Sequence, residues 1–107
     1  MNMKTYQINL GYGEETVAIQ YPKYGNGRTA IQLWAVEHGQ IVEPFLTATC
    51  NLPDVPLAAD EVAVKDWSEN EGVYKWLVEN EIVSPAIRTV PTGFVEALVC
   101  KLKGWPS

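Results

Sequence analysis

The side chains best suited to acid–base chemistry are three carboxylates in the run DWSENEG, at positions 66, 69 and 71. Two neighbouring carboxylates can act as the acid and base of a glycosidase-type hydrolase. Glu71, however, follows Ser68 in the S-x-x-E spacing of a helix capping box, and Glu69 would stabilise the positive end of the same helix. We therefore predict no catalytic residues. A small ligand-binding domain or hydrolase that uses Asp66 and Glu69 is the alternative.

The residues of the chain also disfavour a nucleophilic site and a metal site. A thiol or hydroxyl nucleophile needs a base beside it, and the single histidine, His38, precedes Gly39 in a run typical of an exposed turn. Cys50 and Cys100 lie in apolar strand-like runs and are predicted to be buried free thiols, with a disulfide only if their strands are neighbours. One histidine disfavours a zinc site, and DWSENEG does not match a calcium loop. We predict no metal and no cofactor.

The net charge of −5 is concentrated in one part of the chain. Residues 54–81 contain eight acids against two bases, and the remainder contains five acids against six bases. Such a balance disfavours direct binding of nucleic acid, which depends on Lys and Arg, and permits a basic protein partner or imitation of nucleic-acid charge. The sequence contains no apolar run long enough for a membrane span, and the N-terminus lacks the apolar core of a secretory signal. We expect a cytoplasmic protein.

Four tryptophans are many for a chain of 107 residues. Trp67, just before the predicted helix, and Trp105, near the C-terminus, are the two that we expect to be exposed. Exposed aromatic residues are enriched in binding hot spots, and an acidic rim would steer a basic partner towards them. The predicted partner-binding residues are Asp66, Trp67, Glu69, Glu79, Glu81 and Trp105.

Apolar residues that alternate with polar ones predict several strands joined by Gly- and Pro-rich turns. The strands are expected at 3–10, around 17–21, and at 28–36, 41–51, 87–90 and 94–102, with a short extended segment at 61–65. Pro44 interrupts the fourth strand, so its regular part is expected to begin at Phe45. Val73, Trp76 and Leu77 recur at helical spacing and predict one helix at about 69–80.

The order of strands, one helix and strands predicts an α+β fold. We expect an antiparallel β-sheet of about five to seven strands with the single α-helix packed on one face. The chain is expected to form one domain over residues 1–107, with 103–107 as a loose tail.

Three blocks of the sequence resemble a known group of proteins. They are NGRTAIQL at 26–33, TATCNLPDVPLAADEVAVKDWSENEGV at 47–73 and RTVPTGFVEALVCKL at 88–102. These blocks, about half of the chain, look like short proteins of a family of unknown function that bacteriophages and bacterial mobile elements carry. The resemblance implies a host-cell setting and assigns no catalytic residue.

The sequence thus favours a non-enzymatic protein-binding module of a phage or mobile element. It would bind a basic surface of a host or phage protein through its acidic, aromatic-bearing segment. Small acidic proteins of such elements often occupy a host surface, so an inhibitor of a defence system of the CRISPR or restriction type is the sharper version. A structural or assembly protein that acts as a homodimer through an edge strand is the third interpretation.

Overall fold

The computed structural model describes residues 4–103, which form seven strands and one helical region. The first sheet contains β1 (Tyr6–Asn9), β2 (Glu14–Gln20), β3 (Gln32–Glu37) and β4 (Gln40–Thr47). The second contains β5 (Glu61–Val64), β6 (Arg88–Thr92) and β7 (Val95–Lys101). A 3₁₀ turn at Ser68–Asn70 and the helix α1 (Val73–Glu79) lie between β5 and β6. The predicted α+β class with one helix is therefore confirmed.

All strand pairs are antiparallel, and the strands divide into two sheets. The strand order is β1-β2-β3-β4 in the first sheet and β5-β7-β6 in the second. Residues 48–50 join the sheets, because the amide of Ala48 donates to the carbonyl of Ile31 on one side and the amide of Cys50 donates to Ala63 on the other. An isolated bridge between Thr49 and Val64 completes the link.

The core lies between the sheets and α1. Buried residues alternate with more exposed ones along parts of β1, β3 and β7, as the period of two along a strand requires, whereas three consecutive residues of β5 are buried. Val17 and Leu33 from the first sheet and Leu77 from α1 are all fully buried. The buried cluster consists of Ile8, Val17, Ile31, Leu33, Ala48, Val62, Val64, Val73, Trp76, Leu77, Ile82, Val83, Cys100 and Leu102.

Two prolines lie in outer strands of the two sheets. Pro44 is inside β4, which begins at Gln40 and not at the expected Phe45, and the pairing of β3 with β4 shifts register twice around it. Pro91 lies in β6, the last strand of the second sheet. A proline cannot donate a ladder hydrogen bond, so it is tolerated at such edges and makes them poor templates for a further strand.

Two arginines hold the connection between β4 and β5. Arg28 donates to the carbonyl of Leu52 (2.6 Å), and Arg88 donates to the carbonyl of Pro56 (3.0 Å). Arg88 also pairs with the Glu61 carboxylate at 3.0 Å, and this contact lowers the pKa of Glu61. The proline-containing segment 52–60 is thereby fixed without a helix.

Both cysteines are free thiols, as predicted. Cys100 is fully buried, and burial raises its pKa to about 12, while half-buried Cys50 has its pKa raised mainly by burial. The strand β5 separates them, because Val62 pairs with Cys100 and Ala63 accepts the hydrogen bond from the Cys50 amide. Since the thiolate is the reactive form of cysteine, the raised pKa values make both groups weak nucleophiles.

Candidate functional site

The helical region spans 68–79, close to the predicted 69–80, but it is broken in the middle. Gly72 has a φ of +97°, in the left-handed region that glycine adopts at no steric cost, and it separates the 3₁₀ turn from α1. The predicted capping box does not form, because neither Ser68 nor Glu71 makes a side-chain cap to either element. Ser68 itself has a φ of +57°.

Asp66 supplies the cap in place of Ser68. Its Oδ1 atom accepts hydrogen bonds from the backbone amides of Gly72 and Tyr74, each at 3.0 Å. The first amides of a helix have no partner within the helix. A carboxylate at this position accepts their hydrogen bonds and is also stabilised by the positive end of the helix dipole. Asp66, predicted as a partner-binding residue, therefore has contacts that stabilise the fold.

The helix is fixed to the edge of β1. The indole Nε1 of Trp76 donates to the carbonyl of Gln7 at 2.8 Å, and the Trp76 ring packs edge-on against Tyr6 with centroids 5.8 Å apart. Near the start of the helix, a Cβ atom on Gly72 would lie 3.4 Å from Leu10. These contacts hold α1 against β1, which is an outer strand of the first sheet.

A second anchor precedes the helix. Asn70 is buried, and its Nδ2 atom donates to the carbonyl of Thr47 at 2.7 Å. This contact ties the 3₁₀ turn to the end of β4, as the Trp76 contact ties α1 to β1. The acidic residues around the helix are therefore carried on a segment that is held at both ends.

Four exposed glutamates lie on this segment, and we call them the acidic ridge: Glu69, Glu71, Glu79 and Glu81. Glu69 pairs with Lys65 at 3.1 Å and Glu81 pairs with Lys103 at 3.6 Å. A hydrogen bond from its own backbone amide, and then Lys65, lower the pKa of Glu69. Both ion pairs are solvent-exposed, and such pairs contribute about 0–1 kcal/mol, so a partner can replace them at little cost.

The tryptophans are less available than expected. Trp67 and Trp34 are half-buried and Trp76 is buried, while the predicted site residue Trp105 lies outside the described residues. Tyr21 is 45% exposed, and the two most exposed aromatics are Tyr12 at 71% and Phe94 at 108% of their reference areas, each beside a glycine at a hairpin tip. Sequence reasoning missed both, although their neighbouring glycines were a usable signal.

Glu81 lies two residues beyond the end of α1 and has an unusual backbone conformation. Its φ is +57°, its amide donates to the carbonyl of Val78, and the next amide, of Ile82, donates to Leu77. This pattern is a Schellman motif, whose left-handed position is normally occupied by glycine. A non-glycine residue at this position is strained by about 1–2 kcal/mol. Glutamate therefore occupies a position where the fold alone favours glycine.

We expect Glu81→Gly to raise the free energy of unfolding by about 0.5–1 kcal/mol, because relief of the strain outweighs the greater freedom of glycine in the unfolded chain. Urea unfolding at neutral pH measures the effect. The matched control is Glu79→Gly, two residues earlier at the last residue of α1, which should lower stability by about 1 kcal/mol. Equal losses in both variants would contradict the strain assigned to Glu81.

Within residues 4–103 no group of three or more His, Cys, Asp or Glu side chains could hold a metal ion. In the same range no helix has the length and apolar character needed to cross a bilayer.

Comparison of the chain with protein-family models, with curated proteins and with solved structures finds no match in any of the three. The contacts above are therefore the basis for assigning a function.

Proposed function

We propose that this chain is a non-enzymatic protein-binding module whose acidic ridge contacts a basic surface of another protein. The observation that carries the proposal is the exposure of all four ridge carboxylates on a segment that Asp66, Asn70 and Trp76 fix to the sheets. A rigid display of like charges steers an oppositely charged partner and costs little ordering on binding.

The acidic ridge consists of two pairs of glutamates, one at each end of α1. Glu69 and Glu71 stand before α1, Glu79 at its last residue and Glu81 just beyond it, and the exposed Lys75 lies between the two pairs. The seven residues of α1 span about 10 Å at 1.5 Å per residue. A fitting partner therefore carries two groups of Lys or Arg side chains, rather than one diffuse basic patch.

The resemblance to proteins of phages and mobile elements points to the source of the partner. A phage or mobile element benefits when its protein blocks a host defence. In the cytoplasm of a host cell, a suitable basic surface belongs to a defence nuclease of the CRISPR or restriction type. Inhibition by covering that surface needs no catalytic group in the inhibitor. This is the finer form of the proposal, and it depends on the resemblance rather than on a contact.

The other two interpretations receive less support from the contacts. A hydrolase that uses Asp66 and Glu69 would need Asp66 for chemistry, whereas its Oδ1 atom already accepts two backbone amides. A homodimer formed by strand addition would use an outer strand, but β4 and β6 each contain a proline, the outer edge of β5 pairs with residues 49–50, and Trp76 binds a carbonyl of β1. No observation in residues 4–103 favours either one over the ridge.

The test of the ridge is a charge reversal with a matched control. The double variant Glu69→Lys/Glu79→Lys should weaken binding of the partner at least about tenfold, because two attractive contacts become repulsive. The control is Glu37→Lys/Glu43→Lys, which makes the same change in net charge at two exposed positions of β3 and β4. Its dissociation constant should stay within about twofold of the unaltered chain.

The partner is first isolated by retention from bacterial lysate on the immobilised chain in about 50 mM salt, and then purified for titration. Retention should be lost at about 500 mM salt, since screening shortens the range of exposed charges. Absence of any retained protein at low salt would count against the proposal. Equal affinities of the two double variants would refute the assignment of the ridge.

A further inference from the structure

The tip of the second hairpin presents an aromatic side chain that the fold does not use. The strands β6 and β7 are joined by the two-residue loop Gly93-Phe94, and Thr92 pairs with Val95 across it. Gly93 has a φ of +72°, and a two-residue hairpin with glycine at its first position is a common, well-defined turn. Phe94 is fully exposed, so its ring has no packing role in the chain.

The hairpin extends beyond the rest of its sheet. The strand β5 pairs with β7 only over Leu98 to Lys101, whereas β6 continues to pair with β7 as far as Val95. The tip of the hairpin is therefore two-stranded. Its five residues, PTGFV at 91–95, contain no charge in a chain that is one-fifth charged.

A fully exposed phenylalanine is costly to leave in water. The side chain presents roughly 150–250 Å² of mostly apolar surface, and each Å² removed from water contributes about 25 cal/mol. Because the loop fixes the backbone, placing the ring in a pocket orders few further bonds. An uncharged tip also enters an apolar pocket without desolvating an ion.

We propose that Phe94 is an anchor that inserts into an apolar pocket of a partner protein. The inference rests on the proposed protein-binding function and adds to it a second contact, chemically distinct from the acidic ridge. The partner then combines a basic surface with a hydrophobic pocket large enough for one phenyl ring. A lipid surface is the less fitting occupant, because the chain carries a net charge of −5 and cytoplasmic leaflets are anionic.

The experiment places a photo-crosslinking phenylalanine derivative at position 94 in one sample and at position 79, on the ridge, in another. Each is irradiated in bacterial lysate, and the crosslinked peptides are identified by mass spectrometry. The purified partner is then titrated with Phe94→Ser and with the control Ile87→Ser, which removes a side chain that is 47% exposed beside the start of β6. Thermal unfolding checks that both variants keep the fold.

We expect position 94 to crosslink to apolar residues of one protein, and Phe94→Ser to weaken its binding by about 30-fold or more, as truncation of a hot-spot aromatic does. Ile87→Ser should stay within about threefold. Crosslinking at position 79 alone, with unchanged affinity of Phe94→Ser, would overturn the anchor and leave the ridge standing. Crosslinking at neither position would overturn both.

Two further results would also overturn the anchor. One is Phe94-dependent binding to sedimented vesicles of phosphatidylcholine or of phosphatidylcholine with phosphatidylserine, which would assign the ring to a lipid surface. The other is a crosslink from position 94 to a second copy of this chain.

Discussion

Trp76→Ala should lower the free energy of unfolding by about 3–5 kcal/mol, the range for removal of a buried tryptophan. The ring is 9% exposed, packs against Tyr6 and donates its Nε1 hydrogen to Gln7. Truncation leaves a cavity between α1 and β1 and also leaves the Gln7 carbonyl without this donor. Domains of this size are stable by about 5–15 kcal/mol, so the variant should unfold at much lower urea concentration.

Trp76→Phe separates the two contributions. It keeps an aromatic ring against Tyr6 and removes the indole donor, and we expect a loss of about 1–3 kcal/mol. The control is Tyr12→Ala, an exposed aromatic whose removal should change stability by less than about 0.5 kcal/mol. Urea unfolding followed by circular dichroism measures all three variants. A loss below about 1 kcal/mol for Trp76→Ala would contradict the docking of α1 on β1.

The elements of the fold were predictable because their signals are local. Alternation along β1, β2, β3 and β7 and the helical spacing of Val73, Trp76 and Leu77 are visible within short windows of sequence. The division into two sheets was not predicted. It depends on the pairing of residues 48–50 with β5, and no local pattern specifies which distant strand a segment will join.

At the candidate site too, a local sequence pattern was not enough to predict the structure. The S-x-x-E pattern at Ser68 and Glu71 presumes a helix that is continuous from that point, whereas Gly72 breaks it and moves the free amides to Gly72 and Tyr74. Phe94 was predicted to open the last strand, yet that strand begins at Val95, so the ring falls in the loop. The exposure of a tip residue depends on how far its hairpin projects.

Asp66→Ala should lower the free energy of unfolding by about 2 kcal/mol, the upper part of the range for loss of a helix cap, because one carboxylate oxygen serves two amides. Asp66→Asn keeps an oxygen acceptor and loses the charge, so we expect it to cost only about 0.5–1 kcal/mol. The matched control is Glu69→Ala, whose exposed ion pair should contribute less than about 0.5 kcal/mol. Urea unfolding at neutral pH gives all three values.

The same variants decide whether Asp66 also binds the partner. If its carboxylate is only a cap, Asp66→Asn should bind the purified partner within about threefold of the unaltered chain, while Glu69→Lys/Glu79→Lys remains impaired. A loss of affinity in Asp66→Asn as large as that of the double variant, with stability nearly unchanged, would return Asp66 to the binding surface. A loss of stability without a loss of affinity would limit the functional part of the run DWSENEG to its exposed glutamates.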